Sequence, residues 1–202
     1  DRLLKNFANL EEEEKLKYIS QINRYSKNTY SLLNNLFLWA RSQTGTLKIN
    51  FRRANLKTIV DNIVEFFEVN SVRKSITLTA SIDNELHGYF DVDMITTVIR
   101  NLVSNALKFT NANGKITINA KEVGDMIQVE VSDTGIGISK EEQISLFSID
   151  KQSNLVDSSE NEGKGLGMIL IKEFVSKNGG DIWVESELNV GSTFKFTLPK
   201  AL

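Results

Sequence analysis

The chain has 202 residues, 24 basic against 26 acidic side chains, a single His and no Cys. That length suits one ordinary domain plus an appendage, and 41% hydrophobic with 25% charged residues is a globular balance. The composition excludes a disulfide framework and a thiolate metal site. The lone His87 excludes a His-rich zinc centre and argues against a Ser-His-Asp hydrolase, and a net charge of −2 offers nucleic acid no electrostatic footprint. No apolar run approaches the roughly 18 residues that span a bilayer, and no signal peptide opens the chain. It begins at Asp1 rather than Met, as an excised piece of a longer protein would.

The one Pro, Pro199, leaves long helices uninterrupted. Asp1 to Asn6 reads as the tail of one helix. Asn9 is placed to cap a second, with Glu11 to Glu14 in its first turn, where acidic side chains favour the helix dipole. Ile19, Ile22, Ser26, Thr29, Leu33, Leu36 and Ala40 then step by threes and fours, a heptad seam, and Tyr18, Tyr25, Leu32 and Trp39 recur every seven residues beside it. So wide an apolar face suits a helical bundle rather than a two-stranded coil. Gly45 is placed to end the helix.

From Asn55 the pattern becomes mixed α and β. Ile59, Ile63 and Phe66, with Val60, Val64 and Phe67, mark a helix, and Ile76, Leu78, Ala80 and Ile82 alternate as a strand. His87 falls at a turn and reads as a surface residue. Asp91 to Lys108 is helical, with Ile95, Val98, Ile99, Leu102 and Ala106 on its buried side. Ile116, Ile118 and Ala120, then Ile127, Val129 and Val131, alternate about Gly124-Asp125 as a hairpin. Lys151 to Gly163 is polar and reads as a flexible loop. Leu166 to Lys177 is helical and stops at Asn178-Gly179-Gly180. Two last strands hold Ile182 and Val184, then Phe194, Phe196 and Leu198. The expected fold is α+β: a two-layer α/β sandwich with a mixed, largely antiparallel sheet and helices on one face, preceded by the long helix.

Three clusters carry chemistry. In Asn101-Leu102-Val103-Ser104-Asn105-Ala106-Leu107-Lys108-Phe109, residues Asn101, Asn105 and Lys108 share one helix face. That stripe is either solvated surface or a set able to ligate Mg²⁺ through an amide oxygen and to neutralise phosphate. Asp133-Thr134-Gly135-Ile136-Gly137-Ile138 follows a strand; its glycines admit close backbone approach, and Asp133 is an acceptor for an exocyclic amine. The alternative is a plain tight turn. Asp-Thr-Gly also occurs in aspartic proteases, but they need a second acid loop, and none is present. Gly163-Lys164-Gly165-Leu166-Gly167 opens a helix, either as a hinge or as backbone N–H groups for phosphate. It fits neither a Walker loop nor a dinucleotide fingerprint.

Together and in this order, the clusters resemble the catalytic, ATP-binding region of sensor histidine kinases, in the superfamily that also holds the gyrase, heat-shock chaperone and mismatch-repair ATPases. Asn101 to Phe109 is similar to the N box, Asp133 to Ile138 to the G1 box, Gly163 to Gly167 to the G2 box, and Gly191-Ser192-Thr193-Phe194 to the closing strand motif. Tyr18 to Gly45 resembles the second helix of the dimerisation and phosphotransfer hairpin. The resemblance implies two parts, residues 1–46 from that hairpin and 47–202 as the ATP-binding domain. It implies Asn105 as the Mg²⁺ ligand, with Asn101 and Lys108 on the phosphate side as catalytic residues and Phe109 near the base. Asp133 would bind the adenine amino group, with Thr193 supporting it through its hydroxyl or a water. Gly135, Gly137 and Ile138 would let the purine sit against backbone. Gly163, Lys164, Gly165, Leu166 and Gly167 would face the phosphates, and residues 155–162 would form a mobile lid.

The resemblance further implies a cytoplasmic kinase region, including as part of a membrane-bound receptor. It would act with ATP and Mg²⁺, contact a response regulator receiver domain, and form a homodimer through the hairpin. Neither nucleic acid nor membrane contact is expected of this stretch. The family's ATPases carry Glu where this chain has Asn101, and an amide is no general base at neutral pH, so water-hydrolysing activity is not expected. Two departures stand out. No phosphoacceptor box surrounds His87, so the acceptor His is expected N-terminal to Asp1, and this stretch alone should not autophosphorylate. Leu146-Phe147 is followed by Ser148-Ile149-Asp150 where a second aromatic is usual, which weakens the expected anchoring of the lid. A nucleotide-binding or degenerate interaction module without kinase activity is the alternative.

Overall fold

Three glutamates, Glu12, Glu13 and Glu14, occupy the first turn of helix α1 (Glu12–Gln43), and Arg41 its last, each sign at the helix end that favours it. The computed structural model describes residues 10–44, 48–148 and 166–201. The expected helix tail at Asp1 to Asn6, the Asn9 cap and the Gly45 stop lie outside them. Ile19, Ile22, Leu33 and Leu36 of the heptad seam are exposed, whereas Leu38 packs on the core of the following domain, and α1 lies against a later helix, α5.

That domain begins with β1 (Phe51–Asn55) and α2 (Leu56–Arg73), where the Asn55 side chain caps the helix by accepting from the Thr58 N–H at 3.0 Å. β2 (Thr77–Ser81) and β3 (His87–Asp91) follow. Asp91 caps α3 (Val92–Phe109), accepting from the N–H groups of Asp93 and Met94. β4 (Lys115–Val123) and β5 (Met126–Asp133) form the expected hairpin. The short α4 (Lys140–Ser145) opens with a Ser139–Glu142 capping box. Then come α5 (Leu166–Lys177), β6 (Ile182–Glu187) and β7 (Gly191–Pro199).

The main sheet has the order β2-β4-β5-β7-β6. Three of its four pairings are antiparallel; the parallel one, β2 with β4, is bridged by α3. Side chains alternate as read from sequence: Ile116 and Ile118, Ile127, Val129 and Val131, and Phe194, Phe196 and Leu198 are buried beneath α2, α3 and α5. The fold is thus a two-layer α/β sandwich, as expected. Each fully buried aliphatic side chain contributes about 1.5–3 kcal/mol by leaving water, so this shared face is what joins helices to sheet.

Three elements were not legible. β1 and β3 pair antiparallel as a separate two-stranded ribbon; His87 is its half-buried first β3 residue, with Nδ1 2.8 Å from the Glu85 carbonyl, not a surface turn residue. β1 carries two arginines and β3 a glycine, so neither shows alternation, and their pairing is long-range. The helix α4 was also unmarked, although Ser139 and Glu142 spell a capping box.

The ribbon is tied to the sandwich by Asn178, which is 1% exposed. Its Oδ1 accepts from the Asp91 N–H at 2.7 Å, and its Nδ2 donates to the Phe174 carbonyl at 2.7 Å and to Met94 Sδ at 3.5 Å. Asn178→Ala leaves a buried N–H without a partner and should cost about 2–3 kcal/mol, measured as a lower urea midpoint with unchanged slope.

Candidate functional site

Helix α3 ends in the polar stripe anticipated from sequence. Asn101 and Asn105 are half-buried and Lys108 is exposed. The Asn101 amide donates back to the Thr97 carbonyl at 2.8 Å. The Asn105 amide nitrogen points across to α5, 3.6 Å from Met168 Sδ. The Lys108 ammonium lies 5.1 Å from the centre of the Phe109 ring. From the turn after α2, Lys74 Nζ donates to the Leu107 carbonyl at 2.7 Å, a cation at the negative end of the helix.

The turn after β5 closes on that helix end. The Ile136 N–H donates to the Phe109 carbonyl at 3.2 Å, and a Cβ at Gly135 would sit 2.5 Å from the same oxygen. At Gly137, with φ +69°, a Cβ would overlap the Glu187 carbonyl. The absent side chains of both glycines therefore admit neighbouring protein backbone, where close approach of a purine was the expectation. Further on, the Ile138 N–H donates to Ser186 Oγ at 2.8 Å, and Gln143 Nε2 donates to the carbonyls of Ile138 (2.7 Å) and Ser186 (3.0 Å). Gln143 thus fixes the far side of the turn, a role no sequence pattern marked.

Asp133 ends β5 with its Oδ1 accepting from the Gly135 N–H at 2.8 Å. Burial pushes its carboxyl above the ordinary carboxylate value, while the backbone N–H groups of Gly135 and Ser192 pull the other way. The β5–β7 register pairs Asp133 with Ser192, and Ser132 with Thr193. Thr193 therefore stands on the opposite face of the sheet, its hydroxyl donating to Ser132 Oγ at 3.0 Å rather than supporting Asp133. The residue beside Asp133 is Ser192, 6% exposed and hydrogen-bonded to Ser186 Oγ at 2.9 Å. The alternation of Phe194, Phe196 and Leu198 carries the signal that places Ser192 on this face. A groove of about 460 Å³ opens here, lined in part by Asp133, Gln143, Ser192 and Thr193.

Of the third cluster, Gly163, Lys164 and Gly165, like the loop 155–162, lie outside the described residues. Leu166 begins α5, and a Cβ at Gly167 would meet nothing within 4 Å. Leu146 and Phe147, the remaining part of the shortened aromatic motif, pack against the core. Among the described residues no group of three or more His, Cys, Asp or Glu side chains could cage a metal ion. The oxygen donors present suit a cation held by one or two protein ligands plus phosphate and water, the habit of Mg²⁺.

This sandwich, with the turn after β5 closing on the end of α3, is the fold of histidine kinase catalytic domains. Residues 90–202 match the family described as histidine kinase-, DNA gyrase B- and HSP90-like ATPases, and the chain belongs to it. It is similar to the adaptive-response sensory kinase SasA of Crocosphaera subtropica, 32% identical over 203 residues, covering 98% of this chain and 52% of that protein. The nucleotide-free catalytic domain of the histidine kinase ThkA superposes with a TM-score of 0.65 at 28% identity, over 75% of this chain and 96% of that one. ThkA in complex with the response regulator TrrA gives 0.75 at 25% identity, over 98% of this chain and 55% of that one. The chain spans about half the length of the curated relatives it matches. Among the described residues no helix is long and apolar enough to cross a membrane.

Because burial raises the Asp133 carboxyl, its ionisation costs the folded state. That cost is absent below the unfolded carboxylate value and grows as pH rises through the folded one. Asp133→Asn should therefore gain thermal stability relative to the wild type between pH 4 and pH 8, by on the order of a few °C. Melting both proteins by circular dichroism across that range checks the sign.

Proposed function

We propose that this chain is the ATP- and Mg²⁺-binding catalytic region of a sensor histidine kinase. It transfers the γ-phosphoryl group to a His N-terminal to Asp1, for relay to an Asp of a response regulator. Residues 1–46 belong to the dimerisation and phosphotransfer hairpin and 47–202 to the ATP-binding domain. The observation that carries the reading is Asp133: a half-buried carboxylate at a strand end, held at Oδ1 by the Gly135 N–H and placed next to the asparagine-lined end of α3.

In this reading Asp133 accepts a hydrogen bond from the adenine amino group, and Ser192, beside it, supplies the hydroxyl for the same edge. Ile138, Gly135 and Gly137 set the turn that walls the base, with Phe109 across from it. Lys108 and Lys164 neutralise phosphate charge, Asn101 lines the phosphate side, and the N–H groups of Gly163, Gly165, Leu166 and Gly167 face the phosphates. Asn105 would hold Mg²⁺, which would supply charge neutralisation at the phosphate oxygens. Rate enhancement comes from alignment of donor and acceptor rather than from a base. His87 is unsuited as acceptor, since its ring is engaged with the Glu85 carbonyl in a strand. The exposed heptad residues Ile19, Ile22, Leu33 and Leu36 supply the surface for a homodimer, and the same helix is the surface for a receiver domain. The relative ThkA forms a complex with the response regulator TrrA, which supports that partner class. A cytoplasmic location accords with an ATP-dependent activity.

Calorimetric titration with ATP, with and without Mg²⁺, tests the site. The chain should bind ATP, more tightly with Mg²⁺, and Asp133→Ala should lose affinity by about tenfold or more. Absence of binding by a chain folded by circular dichroism overturns the kinase reading in favour of an interaction module. A longer chain that carries the hairpin His should incorporate phosphate from ATP, and its Asn105→Ala variant should not.

A further inference from the structure

Two amide–sulfur contacts close the α3–α5 helix pair, one at each end. Asn178, just past α5, donates to Met94 in the first turn of α3. Asn105, near the end of α3, donates to Met168 in the first turn of α5. The helices run in opposite directions, so the two contacts are reciprocal. They differ in surroundings. Asn178 is fully engaged, with three hydrogen bonds to buried groups. Asn105 is half-buried, and its Oδ1 accepts from no described residue.

An amide has one donor arm and one acceptor arm, and rotation of its side chain end exchanges them. A cation ligand must offer the oxygen. From these contacts we infer that Met168 is a positioning residue: its buried sulfur takes the Asn105 amide nitrogen and so turns Oδ1 outward for Mg²⁺. Met168 is 5% exposed, which keeps water from competing for the amide. A leucine at this place would fill similar volume but accept nothing, and the amide would sample both orientations. The inference rests on the proposed Mg²⁺·ATP site and adds to it the device that orients the ligand before the ion arrives, which lowers the ordering cost of binding.

The test compares Met168→Leu with Met94→Leu by calorimetric titration with ATP in Mg²⁺ and in EDTA. Both substitutions remove one amide–sulfur contact, so both should lower the melting temperature slightly. Only Met168→Leu should reduce the Mg²⁺-dependent gain in ATP affinity, by about three- to tenfold, the range for one net hydrogen bond. An unchanged gain in Met168→Leu, or equal losses in the two variants, overturns the positioning role while leaving the nucleotide site intact. A wild-type chain that binds ATP without any Mg²⁺ dependence removes the ion from the site, and the inference falls with it. A wild-type chain that binds no ATP overturns the broader reading first.

Discussion

The candidate site depends on one backbone contact: the C-terminal carbonyl of α3 meeting the turn after β5. The last carbonyls of a helix lack intrahelical donors, and burial without partners is costly. Here the Ile136 N–H satisfies Phe109, and the Lys74 ammonium satisfies Leu107. The missing side chain at Gly135 is what lets the turn come close enough, since a Cβ would sit 2.5 Å from the Phe109 oxygen. One hydrogen bond thereby fixes the asparagine stripe relative to Asp133, although they lie on different elements and more than two dozen residues apart in sequence.

From that joint the order spreads by further fixed contacts. Asp133 is held by the backbone of its own turn, and the far side of the turn is held by Gln143 and Ser186. Ser186 in turn donates to the Gly191 carbonyl, at the start of β7. Polar networks of this kind rigidify only when each member has its partner, and these members do. At the other end of α3, Asp91 both caps the helix and accepts from the Asn50 N–H at 2.8 Å, so the segment leading from α1 is tied to the same helix that carries the asparagines.

The sequence made the sandwich legible because its information is local and periodic: alternation in β4, β5 and β7, heptads in α1, a 3.6-residue face on α3. The ribbon of β1 and β3 was hidden because two short strands rich in Arg, Gly and polar residues pair across a long separation. Of the three stretches that motif order singled out, the structure brings the first two together with the closing strand. What motif reading blurred was which face of a strand a residue occupies. Thr193 and Ser192 are adjacent in sequence, yet a period of two sends one to each side of the sheet. The contact of Asn105 with Met168 was beyond reach, because nothing in either segment marks the other as its partner.

The geometry at Asn101 bears on why an amide stands there. Its Nδ2 donates to the Thr97 carbonyl one turn back. A carboxylate offers acceptors only, so Glu in the same rotamer would set oxygen against oxygen and would have to turn away. The amide is at home where a general base would be displaced, and an amide cannot take a proton from water at neutral pH. A phosphate held by cations beside such a group gains charge neutralisation without an activated nucleophile from solvent.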